Sequence, residues 1–427
     1  MKKALVLAGG GTRGSYQYGA VKALLELEEM DFDIITGTSI GALNGTLLVQ
    51  RDYQAMADMW HTLSVDKIIK GKLPAEFNLE SIINERNLLP HFFKTYIKEK
   101  GVDNSPFIEL LNKLYNSEKF AASDIDFGCV TVGNMSLNPI YVDKHMMKEH
   151  GADWLIATAS CFPAFPVHSF SEGEFIDGGY FDNLPIDLAL RKGAEELTVI
   201  DLSDEPHHSL YVARPHIRYI FPQTPTGSFL DFSPESLRRL ETLGYNDTMK
   251  SFHVYDGAAY TFRKMDIPSY FDRYYLNCLM TETKIRTAMM LVQKIRSESR
   301  IYDRLREQMH LPSLTVEQFC FGIIDDILKI LDYDMQPVYD FRTVQKDIVE
   351  AFAPAASADY DMMPSLKLKD IKEYVQTLDQ KGIVMRIIHQ NLFPEDIVFK
   401  ENMILTVYPF EQALADMVTM MMKNQEE

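Results

Sequence analysis

The first apolar run of the chain, Ala4-Leu5-Val6-Leu7-Ala8, is short and ends at Gly9-Gly10-Gly11. An apolar stretch of that length bounded by glycine predicts a buried β-strand. Residues 15–29 change period: Tyr16, Ala20, Val21, Leu24, Leu25 and Leu27 recur at the spacing of one broad helical face. A β-branched run, Ile34-Ile35-Thr36, then predicts a second strand, and the Ala/Leu-rich residues from Ile40 to about Gln50 predict a buried helix. Further strands are expected at 127–132, 139–142, in a short run ending at Ile176-Asp177, and at 197–201, with an edge strand at 217–220. Helices are expected at 154–160, after Asn183-Leu184-Pro185, and from Ser233-Pro234-Glu235, where serine can cap and proline can take the first turn. Strands alternating with helices through residue 200 predict an α/β fold, a mainly parallel central sheet with helices on both faces.

Residues 52–120 interrupt that alternation with helical patterns at 79–84, 88–98 and 107–115. An insertion of this size over a sheet often becomes a cap. The stretch His91-Phe92-Phe93-Lys94-Thr95-Tyr96-Ile97-Lys98 mixes aromatics with lysines, as interfacial helices do, and equally fits an amphipathic helix with Phe92, Phe93 and Tyr96 in a core. Beyond about residue 255 the strand signal fades. Ile285, Ala288, Met289, Val292 and Ile295 keep helical spacing, Thr315-x-x-Gln318 can cap a further helix, and a Met-rich helix closes the chain. The expected division is therefore a domain at 1–255 and a mostly helical C-terminal region at 256–427.

Length and charge narrow the function classes. At 427 residues two domains are available, and 46% apolar residues supply a sizeable core. A formal net charge of −18 argues against a nucleic-acid binder, which needs clustered Lys and Arg. Cys129, Cys161, Cys278 and Cys320 lie far apart with no C-x-x-C, so neither a zinc site nor a disulfide framework is indicated. Reduced thiols and a cytoplasmic location are the expectation. Met1-Lys2-Lys3 and the apolar run after it imitate a signal peptide, but the run is too short for one. No stretch reaches the ~18–20 apolar residues of a membrane span, so a peripheral contact is the most membrane association expected.

Three motifs carry chemistry. Gly37-Thr38-Ser39-Ile40-Gly41 lies between a strand and a helix, the context in which Gly-x-Ser-x-Gly lifts a serine hydroxyl clear of the backbone as a nucleophile elbow. Gly9-Gly10-Gly11-Thr12-Arg13-Gly14 lies between the first strand and the first helix, where unpaired amides and the helix dipole favour negative charge. Its Gly9-x-Gly11-x-x-Gly14 spacing also fits a dinucleotide fingerprint, which would want an acidic residue at the end of the second strand. That strand ends instead at Ser39, while Asp31 and Asp33 precede it, so nucleophile plus oxyanion hole is the better account. The third motif, Asp177-Gly178-Gly179, puts an acid at a strand end within reach of a serine on a neighbouring strand end. A serine hydroxyl needs a base. The histidines His168, His207, His208, His216 and His253 sit in no recognisable motif; most read as surface or loop residues, and a triad histidine is the lesser alternative.

Taken in order, the three motifs resemble the patatin-like phospholipase family, and Gly227 to Asp247, with Phe232-Ser233-Pro234 and Gly244-Tyr245, is similar to the end of bacterial members. The resemblance covers roughly residues 1–250. The block at 159–166 is similar to the family's Pro/Phe-rich block but contracted. What the resemblance implies is a lipid acyl hydrolase without metal or other cofactor, acting on lipid or other acyl-ester substrates. It makes Ser39 the nucleophile, Asp177 its base, the loop from Gly9 to Gly14 the oxyanion hole, and Gly178 and Gly179 part of the acid motif. Arg13 either holds the loop or attracts a headgroup phosphate. A nucleotide-binding Rossmann-type protein and a non-catalytic scaffold remain as alternatives.

Overall fold

The computed structural model describes residues 1–70, 103–162, 164–292, 301–357, 379–394 and 408–424. The helical patterns at 79–84 and 88–98 lie outside the described residues. The chain divides into two compact units, Met1–Phe252 and His253–Glu427.

The first unit is built on an eight-stranded sheet. Its strands are β1 (Lys3–Leu7), β2 (Ile34–Thr38), β3 (Asp126–Gly133), β4 (Pro139–Asp143), β5 (His168–Phe170), β6 (Gly173–Asp177), β7 (Glu196–Ile200) and β8 (Ile217–Ile220). Their order is β5-β6-β3-β2-β1-β7-β8, with β4 also paired to β3. The run from β3 through β2, β1 and β7 to β8 is parallel. Central β1 is covered on both faces, so Ala4, Leu5, Val6 and Leu7 are fully buried and read as a continuous apolar run. At β3 the pairing turns antiparallel: β4 and β6 both join it that way, and β5 joins β6 likewise. The sheet is therefore mixed. The short turn closed by the Gly133 amide on the Asn138 carbonyl (3.0 Å) leaves no room for a crossover, so β4 must return antiparallel.

The register of these strands, more than their order, sets the positions of serine and acid. Thr38, the last residue of β2 before Ser39, is paired with Val130 of β3, and Asp177 is paired with the next residue, Thr131, from the other side. The strands carrying serine and acid are not neighbours. They flank β3 at adjacent residues.

Helix α1 (Gly14–Glu26) crosses the helix Pro234–Ser251 almost backbone to backbone. A Cβ on Gly19 would lie 1.8 Å from the Glu241 carbonyl oxygen, and one on Gly244 would lie 1.9 Å from that of Tyr16. Hydrogen bonds from Ser15 to the Leu237 carbonyl (2.7 Å) and from Tyr16 to Asp247 (2.8 Å) fasten the crossing. Ser233 caps the second helix, its hydroxyl accepting from the Ser236 amide. The crossing clamps the first turn of α1, and with it the glycine loop that leads into α1.

The second unit packs helices Tyr270–Val292, Ile301–Gln308, Val316–Ile330, Phe341–Phe352, Gln380–Leu392 and Pro409–Lys423. Its core includes Phe262, Phe271, Phe319, Ile323, Ile327, Leu414 and Met417. Thr315 and Gln318 form the reciprocal capping box that their spacing announces. The unit also holds three short strands, Tyr255–Gly257, Thr261–Arg263 and Val338–Tyr339, which helical spacing does not foretell. Among the described residues no helix is long and apolar enough to cross a membrane.

Because the α1 crossing has no space for a side chain, Gly19→Ala or Gly244→Ala is expected to cost about 1–3 kcal/mol as the helices are forced apart. Chemical denaturation of each variant checks this; an unchanged midpoint would show that the crossing gives freely.

Candidate active site

Strand β2 turns into helix α2 (Ile40–Val49) through one residue, Ser39, at φ 54° and ψ −125°. That backbone is unfavourable for any residue with a Cβ and costs on the order of 1–3 kcal/mol. The turn is made tight by the glycines on either side. A Cβ on Gly37 would meet the Gly41 carbonyl carbon at 2.5 Å, and one on Gly41 would meet the Leu7 carbonyl oxygen at 2.4 Å. Thr38 pins its end of the turn by donating to the Asp182 carbonyl (2.9 Å). The Ser39 amide donates to the Thr158 hydroxyl (3.0 Å), which in turn donates to the Val130 carbonyl of β3. The first amides of α2 follow, beginning with Ile40, so the positive end of the helix dipole lies at the serine.

Asp177 is 6% exposed. Its amide is held by the Ser160 carbonyl (2.9 Å), and one carboxylate oxygen accepts from the Gly179 amide (2.7 Å) as the chain turns through Gly178. Burial pushes its carboxyl up from 3.8 to about 6; the Gly179 amide and the Ser39 side chain, as hydrogen-bond partners, pull partly the other way. No lysine or arginine pairs with it among the described residues.

Most amides of the glycine loop are already committed. Gly9 donates to the Asn183 carbonyl (2.9 Å), Thr12 to the Phe229 carbonyl (2.9 Å) and Arg13 to the Gly10 carbonyl (3.1 Å), while Gly14 donates back into the turn at Gly11 and Thr12. Among the described residues the amides of Gly10 and Gly11 have no such acceptor. Each is aimed by the carbonyl of its own peptide plane: the Gly9 carbonyl accepts from the Asn183 side-chain amide (3.1 Å), and the Gly10 carbonyl accepts from Arg13. A trans peptide directs its N–H opposite its C=O, so fixing the two carbonyls fixes both donors. Gly11 sits at φ 56°, and a Cβ there would come within 2.3 Å of the Phe229 carbonyl oxygen. The Arg13 guanidinium reaches the Gly227 carbonyl through Nε (3.0 Å) and Nη2 (2.6 Å), tying the loop to residues 227–229.

Ser39, Asp177 and the residues from Gly9 to Arg13 line one cavity of about 680 Å³. Its walls are apolar, with Leu43, Met59, Leu63, Phe107, Leu111, Leu155, Phe165, Phe229 and Phe232 among them. Cys161 also lines it, but burial and the nearby Asp177 push its thiol up to about 12, which leaves it a poor nucleophile beside Ser39. Of the five histidines, His207 alone lines this cavity. His168 is bonded to Asp153 (3.0 Å) elsewhere on the unit.

Residues 5–190 match the family model described as Patatin-like phospholipase. Over this segment, a little under half of its length, the chain is similar to the patatin-like phospholipase family. Lysophospholipase NTE1 of Scheffersomyces stipitis is 28% identical over 200 residues, which is 46% of this chain and 11% of that protein. Patatin-like phospholipase domain-containing protein 7 of Rattus norvegicus is 28% identical over 214 residues, 48% of this chain and 14% of that one. The chain therefore matches only a small part of these long relatives. Among solved structures, VipD from Legionella pneumophila aligns over 98% of this chain and 90% of its own, at 14% identity and a TM-score of 0.36.

Sequence pattern singles out Ser39, Asp177 and the glycine loop, which line one cavity, but passes over Asn183, Thr158, Asp201 and His207. By its pattern Asn183 is only part of a helix start, and nothing local marks the others as neighbours of the serine.

The raised Asp177 carboxyl has a consequence for stability. Since its folded value, about 6, lies above the ordinary 3.8, the native state holds the proton more tightly than the unfolded chain. The contribution of Asp177 to stability is then greatest below about pH 4 and falls as pH rises to about 6, by up to ~3 kcal/mol. Asp177→Asn keeps the shape without the charge and is expected to be more stable than the parent at pH 7–8 and no more stable near pH 4. Thermal melts at both pH values check this, and a variant less stable at both would contradict it.

Proposed function

We propose that the protein is a lipid acyl hydrolase that cleaves acyl esters through a Ser39–Asp177 dyad, with the chemistry confined to the first unit. The observation that carries this reading is a strained serine facing a buried carboxylate, with no cation paired to it among the described residues, in the wall of an apolar cavity. Asp177 takes the proton from the Ser39 hydroxyl as Oγ forms its bond to the ester carbonyl carbon. The carbonyl oxygen gains the negative charge, and the amides of Gly10 and Gly11, with the α2 dipole, stabilise it. Collapse of the tetrahedral intermediate breaks the bond to the alcohol, which leaves with the proton from Asp177. Water then attacks the acyl-serine with Asp177 again as base, releasing the fatty acid and restoring the serine.

A desolvated carboxylate suits this role, because proton transfer is most efficient when the base has a pKa near the operating pH. The apolar walls fit an acyl chain, and they fit poorly with the dinucleotide that the loop's glycine spacing would also allow. Lysophospholipids and other single-chain esters are the proposed substrates, with a peripheral contact at a membrane surface as their source.

A fluorophosphonate probe is expected to label Ser39, identified by mapping the modified peptide, and Ser39→Ala is expected to lose hydrolysis of a p-nitrophenyl ester by several orders of magnitude. Turnover retained in that variant would remove the assignment. Activity is also expected to fall as pH drops through about 6, since a protonated Asp177 cannot accept the serine proton, and Asp177→Asn should be nearly as inactive as Ser39→Ala at every pH. An acid limb centred near the ordinary carboxylate value would show that Asp177 is not the base.

A further inference from the structure

The C-terminal end of β7 carries a polar chain that the dyad does not use. Asp201 is fully buried there. Its carboxylate accepts from the Tyr219 hydroxyl (2.7 Å), from the His207 amide (2.9 Å) and, at 2.6 Å, meets His207 Nδ1. The other ring nitrogen, His207 Nε2, lies 3.1 Å from Asn183 Nδ2. That same Nδ2 is the atom holding the Gly9 carbonyl.

The proton positions follow from what each group can do. A carbonyl oxygen only accepts, so the Asn183 atom against Gly9 is the amide nitrogen. One of its hydrogens goes to Gly9 and the other to His207 Nε2, which must then be an unprotonated acceptor. The ring proton is on Nδ1, directed at Asp201. Every member is satisfied in this one arrangement, with His207 neutral.

We propose that His207 is a positioning residue: through Asn183 it holds the Gly9–Gly10 peptide so that the Gly10 amide points at the oxyanion, and it does so only when neutral. This rests on the acyl-hydrolase reading above. Protonating Nε2 sets an N–H against the Asn183 N–H. Turning the Asn183 side chain over would relieve that clash but would face its oxygen with the Gly9 carbonyl oxygen. Either way the clamp on the Gly9–Gly10 plane is lost, and one of two oxyanion donors with it.

The groups facing His207 act on its proton in opposite senses. The hydrogen bond and charge of Asp201 favour the protonated ring most, burial opposes it, Arg13 opposes it and Asp182 favours it; the net direction is upward from 6.5. Tyr219 acts one step away, through Asp201. The clamp therefore loosens as pH falls, on the alkaline side of the Asp177 titration.

The test is the pH–rate profile of the full-length protein with a soluble p-nitrophenyl ester, alongside variants checked by thermal melting. In the parent, the acid limb of kcat should contain a two-proton slope, one proton from His207 and one from Asp177, until loss of the clamp is complete at ~10²-fold. His207→Gln can still offer an N–H to Asp201 and an oxygen to Asn183 but cannot titrate. It should keep kcat within ~tenfold of the parent and show a one-proton slope set near 6. His207→Leu breaks the chain and should lower kcat by ~10²-fold with KM little changed, the signature of a lost oxyanion donor. Asn183→Asp, which faces Gly9 with an acceptor, should do the same, and it serves in place of His207→Leu if that variant does not fold. The proposal is overturned if His207→Gln is as inactive as Ser39→Ala, which would make the imidazole a direct participant. It is equally overturned if His207→Gln keeps the two-proton slope, or if both chain-breaking variants turn over like the parent. Fluorophosphonate labelling of Ser39 separates these failures from failure of the hydrolase reading, since the label reports the nucleophile whatever His207 does.

Discussion

A carboxylate kept out of water, with no cation beside it among the described residues, is the constraint on which the rest of this structure depends. Asp177 is buried and takes its hydrogen bonds from the Gly179 amide and the Ser39 side chain, too few to offset the loss of water, so its proton affinity rises. Pairing it with a lysine or arginine would stabilise the fold and abolish the basicity, because an adjacent positive charge favours the ionised form. The cost is carried by the sheet around it. The strands that lead to Ser39 and Asp177 both pair with β3, at the adjacent residues Val130 and Thr131, and β3 is itself fully buried from Phe127 to Gly133. Two groups that would both relax if free are thus set by one rigid strand.

In the proposed mechanism, the charge that develops opposite Asp177 is met without a dedicated cation among the described residues. Backbone amides and a helix terminus supply the positive potential, and they need no reorganisation if their peptide planes are already fixed. The fixing is done by carbonyls facing away from the cavity. Asn183 takes that of Gly9, Arg13 that of Gly10, and residues 227–229 grip Thr12 and Arg13 from outside. Arg13 shows the principle: its guanidinium is bound to the Gly227 carbonyl, where it braces the loop. The crossing of α1 with the helix Pro234–Ser251 serves the same end, since it stops the loop's downstream anchor from shifting.

Much of this is written locally in the chain. The apolar runs mark β1 and β2, glycines mark the turn on each side of Ser39, and Ser233 and Thr315 with Gln318 announce their helix starts, because each of these features is made by residues a few positions apart. Period and capping are short-range physics, and a sequence displays them directly. The expectation of a parallel α/β core has the same origin in alternating strands and helices.

Other features depend on which distant residues meet. Apolar alternation does not say which strand pairs with which, so it gives no sign that β4 and β6 both join β3 antiparallel, or that β3 stands between the strands of Ser39 and Asp177. Three short strands in the second unit escape for the same reason, being defined by their partners and not by their own period. The glycine loop is legible as six residues that can bind an anion. Only the tertiary contacts decide that Gly9, Thr12, Arg13 and Gly14 spend their amides elsewhere and that, among the described residues, Gly10 and Gly11 do not. In sequence His207 is an ordinary loop residue because its partners, Asp201, Asn183 and through it Gly9, are brought together by folding; Asn183 and Gly9 alone are 174 positions apart. A hydrogen bond leaves no periodic trace in sequence at that separation, whereas a strand or a cap does.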